Sequence, residues 1–128
     1  MATGKLYSDL HFKLTIESDG NVKKVYDSAA VDQSIKTILS TVPGERIMLP
    51  EFGSRLKSIL FEPLDDATAF IIEDEIELAI NTWEDRIRIS NVSVEADHDR
   101  NIYIIYVYYV LRSSGISDSF IGKVKPLV

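Results

Sequence analysis

The stretch DDATAFIIEDEIELAINTWEDRIRIS, residues 65–90, changes its apolar period partway along, and that change decides the fold. Ala69, Ile72, Ile76, Ala79, Ile80 and Trp83 recur at helical spacing and form one stripe, while Glu73, Asp74 and Glu77 fall on the far side. Asp65 or Asp66 suits the start of this helix, where a carboxylate meets the positive end of the helix dipole. Beyond Arg86 the period drops to two: Ile87 and Ile89 alternate in one phase, and Val92, Val94 and Ala96 in the other. A helix packed through one side therefore runs directly into a strand, and Ser90-Asn91 is the expected place of a β-bulge. The junction between them, Trp83-Glu84-Asp85-Arg86, sets an aromatic ring, two acids and a base where the chain must leave one element and enter the next.

Working outward, Asp97-His98-Asp99-Arg100 reads as a polar turn, and residues 102–111 are apolar or aromatic at nearly every position, as expected of a central strand covered on both faces. Its tyrosines, Tyr103, Tyr106, Tyr108 and Tyr109, must each find a place for a hydroxyl. Ser113-Ser114-Gly115 makes a further turn before a last strand from Ser117 to Val124. Upstream, Phe12, Leu14 and Ile16 alternate with polar residues and end at the turn Ser18-Asp19-Gly20-Asn21. From an N-cap at Asp27 or Ser28, the positions Val31, Ile35, Ile38, Leu39 and Val42 fall at helical spacing to about Thr41. Pro43-Gly44 then suits the two central positions of a type II turn. Ser54 can cap a short helix through Leu56, Ile59 and Leu60, which Glu62-Pro63 ends. The expected fold is α+β, one domain over 1–128: a small, largely antiparallel sheet of three to four strands, packed with two main helices and one short one. The sheet is built from strands around residues 87–96, 101–112 and 117–124, with an edge strand near Phe12–Ile16.

A chain of 128 residues can bury roughly two-thirds of its unfolded surface, enough for one core. There is no cysteine, so disulfides and thiolate chemistry are excluded. The net charge of −6 and the scattered bases, with Lys23-Lys24 the only adjacent pair, argue against binding a phosphate backbone, so no nucleic-acid partner is expected. No apolar run is long enough to span a bilayer, the N-terminus lacks the apolar core of a signal peptide, and no membrane partner is expected. His11 and His98 are far apart and neither shares a helix face with another strong ligand; Asp97-His98-Asp99 reads as a hairpin loop, so no metal and no cofactor is expected. Serine-nucleophile elbows and phosphate-binding glycine loops are missing. Among twenty acids some pair must approach glycosidase separation, and Glu51, Glu62 and Glu84, near helix ends, are the candidates for such chemistry.

Several separated motifs carry a family resemblance. Leu6-Tyr7-Ser8-Asp9-Leu10, then Gly44-Glu45-Arg46 followed by Leu49-Pro50-Glu51-Phe52-Gly53-Ser54-Arg55-Leu56, then Leu60-Phe61-Glu62-Pro63, occur in the order and spacing of the gene-25-like baseplate wedge family of contractile phage tails. The family's Glu-Pro-Arg triplet falls on Glu84-Asp85-Arg86, with aspartate where proline is usual. The resemblance extends to the baseplate subunit of type VI secretion and to contractile injection particles. It implies a non-enzymatic sheath initiator in the virion tail baseplate, assembled in the host cytoplasm. Its partners would be baseplate wedge proteins, gripped at their helical core bundle, and tail-sheath subunits joined by strand addition. On that basis Trp83, Glu84, Asp85 and Arg86, with Phe52 and Gly53, are the expected wedge-binding residues. Phe120 and Ile121, on the strand taken as the open edge, are the expected sheath-binding ones. Two alternatives belong to other classes: a peptidoglycan-cleaving lysozyme-type glycosidase, a label the family often carries, and a regulatory module binding a partner protein through the same fold.

Overall fold

The computed structural model describes residues 14–17, 26–48 and 50–127. The elements run β1 (Leu14–Glu17), α1 (Tyr26–Ser40), α2 (Leu56–Ile59), α3 (Asp66–Trp83), β2 (Ile87–Asp97), β3 (Ile102–Leu111) and β4 (Ser117–Val124). The four strands form one antiparallel sheet in the order β1-β4-β3-β2. The motif Leu6–Leu10, His11, Phe12, the turn at Ser18–Asn21, Lys23-Lys24 and Leu49 lie outside the described residues.

The helix of the opening stretch forms as its stripe requires. Ala69, Ile72, Ile76, Ala79 and Ile80 are buried against the sheet, and the Asp65 carboxylate accepts from the Ala67 amide as the N-cap. The Tyr103 hydroxyl accepts from the Asp65 amide at 3.1 Å, so the sheet holds the helix start in place. The bulge falls where the apolar phase changes, between Ile89 and Asn91. The outer edge of β2 is not left bare, because Glu73 of α3 reaches across and its carboxylate accepts from the Val94 amide at 3.0 Å. That is one of the ways a sheet edge is kept from pairing with another chain.

Val31, Ile35 and Leu39 of α1 complete the core with Tyr103, Ile105, Val107, Tyr109 and Leu111 of β3 and with Phe120 and Val124 of β4. Pro43-Gly44 makes the type II turn: Gly44 has φ +99°, and the Glu45 amide donates to the Val42 carbonyl at 3.1 Å. Ser54 donates to the Leu39 carbonyl and accepts weakly from the Leu56 amide at 3.4 Å, tying the start of α2 to the end of α1.

Three expectations need correction. Asp27 and Ser28 lie inside α1 rather than capping it, since the helix begins at Tyr26. The central strand β3 is covered on one face only by described elements. Its other face carries Ile104, Tyr106, Tyr108 and Val110, with the Tyr106 and Tyr108 rings stacked at 6.4 Å. Aromatic residues that stack along a strand mimic the composition of a doubly buried one. Finally, β4 is not an edge. Phe120 is buried in the core opposite Val107, and Ile121 pairs with Tyr106 on one side and with Glu17 of β1 on the other. The edges of the sheet are β1 and β2.

Candidate functional site

The Trp83–Arg86 junction is built around a buried carboxylate. As α3 ends, the Glu84 amide donates to the Ile80 carbonyl at 2.8 Å while Glu84 itself turns to extended backbone, φ −117° and ψ 105°. That turn sends its side chain inward, where only 3% of it remains exposed. Arg86 curls back over it in a two-pronged contact, Nε to Oε1 and Nη2 to Oε2, both at 2.9 Å, and the Arg86 amide adds a third bond to Oε1 at 3.1 Å. Burial by itself opposes ionisation of Glu84. The Arg86 guanidinium, the Ser34 hydroxyl of α1 and the Arg86 amide outweigh it and hold the carboxyl below its ordinary range. The ion pair is internal, yet 51% of the Arg86 side chain still faces solvent.

The aromatic part of the site comes from a segment distant in sequence. Phe52 meets Trp83 edge to face at 5.1 Å between centroids, and the Arg46 guanidinium lies 4.5 Å above the Phe52 ring. Gly53 makes this approach possible. Its φ of +124° suits glycine, and a side chain there would strike the Thr41 carbonyl, which already accepts from the Ser54 amide. The loop from Pro43 is itself held, by Gly44 amide to Pro50 carbonyl at 2.6 Å and Val42 amide to Glu45 Oε1 at 2.8 Å. It presents Ile47 and Met48 almost fully to solvent.

The structure thus brings together six of the eight expected residues: Trp83, Glu84, Asp85 and Arg86 with Phe52 and Gly53. Phe120 and Ile121 sit elsewhere, inside the sheet. Sequence reasoning missed Arg46, Ser34 and the exposed Ile47 and Met48. It also missed Arg112, whose amide donates to the Arg86 carbonyl at 2.9 Å and whose Nε donates to the Ile87 carbonyl at 3.1 Å. Only the cross-strand register of β2 with β3 could have pointed to Arg112. Of the three acids considered for glycosidase chemistry, Glu51 and Glu62 are exposed at the surface and Glu84 is engaged by Arg86. Among the described residues no group of His, Asp or Glu could hold a metal ion, and no helix is long and apolar enough to cross a membrane.

Comparison with known proteins agrees with the motifs. The chain is 30% identical over 105 residues to baseplate wedge protein gp25 of Enterobacteria phage T4, an alignment covering 82% of this chain and 80% of that protein. Its fold matches a Geobacter sulfurreducens crystal structure provisionally described as a tail lysozyme, with a TM-score of 0.70 and 26% identity over 80% of this chain and 93% of the other. It also matches a chain of the pyocin R2 baseplate in its postcontracted state, with a TM-score of 0.56 and 27% identity over 77% of this chain and 99% of that one. The family model described as baseplate wedge protein gp25 matches residues 26–115. With that match spanning most of the chain, the protein belongs to the baseplate wedge protein gp25 family.

Proposed function

We infer that this chain is a non-enzymatic structural subunit of a contractile-tail or injection-particle baseplate that grips the helical core of the wedge through its Trp83–Arg86 junction and starts the first sheath ring from its sheet. The observation that carries the reading is the Glu84–Arg86 fork. One member is buried and fixed, the other is half exposed, and the Phe52–Trp83 pair lies beside them. Tryptophan and arginine are the residue types that concentrate binding energy at interfaces, and a guanidinium already held by one carboxylate loses little freedom on docking. The relatives' names, a wedge protein and a pyocin baseplate, support the same role.

Sheath strands would join at β1. The β2 edge has its Val94 amide taken by Glu73, and β4 is internal. A strand added to β1 would extend the antiparallel sheet by main-chain hydrogen bonds. The name of the Geobacter structure raises the glycosidase alternative, and the carboxylates of this chain favour the structural reading. A general acid needs a raised pKa, whereas Glu84 is held ionised by Arg86.

Complementation tests the reading. Particles made without this protein, supplied with the parent or with Arg86→Ala, are imaged for wedge incorporation and sheath. The parent restores both, and the variant leaves wedges without sheath. Sheath of normal length on the variant refutes the junction's role. For β1, hydrogen–deuterium exchange on baseplates before and after adding sheath subunits should show new protection at Leu14–Glu17. Unchanged exchange there removes the edge assignment.

A further inference from the structure

The chain is acidic overall, with a net charge of −6, yet three arginines gather where β2 begins and β3 ends. Arg86 precedes β2 and lies across from Arg112, which follows β3, while Arg88 pairs with Val110 one step further along. Arg88 and Arg112 stand on the sheet face opposite the one packed against the helices, since their neighbours Ile87 and Leu111 are buried in the core. Arg86 is engaged with Glu84. Among the described residues neither Arg88 nor Arg112 has a carboxylate within ion-pair distance. The Arg112 guanidinium is nonetheless fixed, because its Nε donates to the Ile87 carbonyl and so aims the terminal nitrogens away from the backbone.

Two hollows meet at this end of the sheet. One, of about 430 Å³, is lined by Val31, Arg86, Leu111, Arg112 and Ser113. The other, of about 350 Å³, is lined by Arg88, Val110, Leu111, Arg112 and Gly115. They share Leu111 and Arg112; the first reaches Val31 of α1 on the helix side, whereas the second lies on the outer face and sets the Arg88 and Arg112 side chains around Val110. Guanidiniums match carboxylates as planar two-pronged partners, and an apolar floor accepts a side chain of the same segment. A phosphate backbone would find only three cations here, with Glu84 and Asp85 adjacent and the field of the whole chain against it.

We propose that this arginine-rimmed hollow on the outer face receives an acidic segment of the wedge partner, which presents Asp or Glu carboxylates to Arg88 and Arg112 and seats an apolar side chain on Val110. The proposal rests on the junction being the wedge-facing site and names the chemistry of what docks beside it. Arg86 serves the buried Glu84; Arg88 and Arg112 select the partner's charge.

The test uses the full chain and the other baseplate proteins of the same particle. Arg88→Lys and Arg112→Lys place a reactive amine at each position, and a carbodiimide joins an amine to a carboxylate in contact with it, losing one water as the amide forms. Mass spectrometry of the assembled wedges should find each introduced amine linked to an Asp or Glu of a wedge protein. Arg88→Glu combined with Arg112→Glu should lower incorporation at least tenfold while melting with the parent, since both side chains are exposed.

Links only to this chain or to a second copy of it, no links at all, or parental incorporation of the double reversal would each overturn the proposal. So would binding of a fluorescein-labelled 20-base-pair DNA duplex by the parent that the reversal abolishes. Arg86→Ala separates the two readings: if it incorporates normally, the junction's own role falls, while the links from positions 88 and 112 still decide the hollow.

Discussion

Arg86→Ala removes two charge-assisted hydrogen bonds and leaves the Glu84 carboxylate, with only 3% of its side chain exposed, facing the Ser34 hydroxyl and one backbone amide. Stripping the partner from a fully buried ion pair costs about 3 to 5 kcal/mol. Here the Arg86 side of the pair is half exposed, so water can enter the vacated space, and a loss of about 2 kcal/mol is the reasoned figure. For a domain of 128 residues that is a fall in Tm of roughly 8 °C, measurable by calorimetry or circular dichroism. Glu84→Gln should cost less, about 1 kcal/mol, because the stranded Arg86 can turn to solvent.

The sign with pH follows from Glu84. In the parent its folded pKa lies below the ordinary glutamate value, so its contribution is fully present above that value and fades as pH falls through the lower, folded one. In Arg86→Ala burial acts with less opposition and should raise that pKa, so protonation favours the folded variant. The gap in Tm between parent and variant should therefore be full at pH 7 and narrow as pH drops toward 4. A variant that melts with the parent at pH 7, or a gap that widens in acid, would refute the claim that Glu84 is a buried carboxylate held by Arg86.

Asp85→Pro should be tolerated or stabilise by up to about 1 kcal/mol in denaturant unfolding, because Glu84 already has the extended backbone that precedes a proline and no described bond uses the Asp85 amide. Gly53→Ala should destabilise by about 2 kcal/mol or more in the same measurement, from the positive φ and the collision with the Thr41 carbonyl, and should weaken the Phe52–Trp83 contact seen in tryptophan fluorescence. Purified protein should release no fragments from peptidoglycan in a dye-release assay at neutral or acidic pH; turnover abolished by Glu51→Gln, Glu62→Gln or Glu84→Gln would establish the glycosidase.

What could be read from the sequence were the features that are local and periodic. The α3 stripe, the Asp65 cap, the bulge beside Ser90 and the turn at Pro43-Gly44 each follow from residues within a few positions of one another. Strand order could not be read that way. β4 lies between β3 and β1 because of contacts more than a hundred residues apart, such as Leu14 with Val124, and nothing in Ser117–Val124 itself marks it as internal. Residue 28 was misplaced for a related reason: serine is as good at an N-cap as it is tolerable within a first turn, and here it is fully buried inside α1.

The junction was legible as a charged cluster, and its inward turn was not. Glu84 is buried because α1 brings Ser34 over it, a contact fifty residues distant. The face of α3 turned to solvent also differs from the simple pattern, for Phe70, Ile71 and Leu78 are exposed among the acids.

The central claim is that the junction is where this chain meets the baseplate wedge. Electron cryomicroscopy of the native particle at subnanometre resolution tests it most directly. The account predicts this domain in a ring between baseplate and sheath, with Trp83, Arg86 and Phe52 against a helical bundle of the wedge and β1 turned toward the first sheath ring. A map in which the domain is absent from that ring, or in which the Trp83–Arg86 junction faces open solvent, would contradict it.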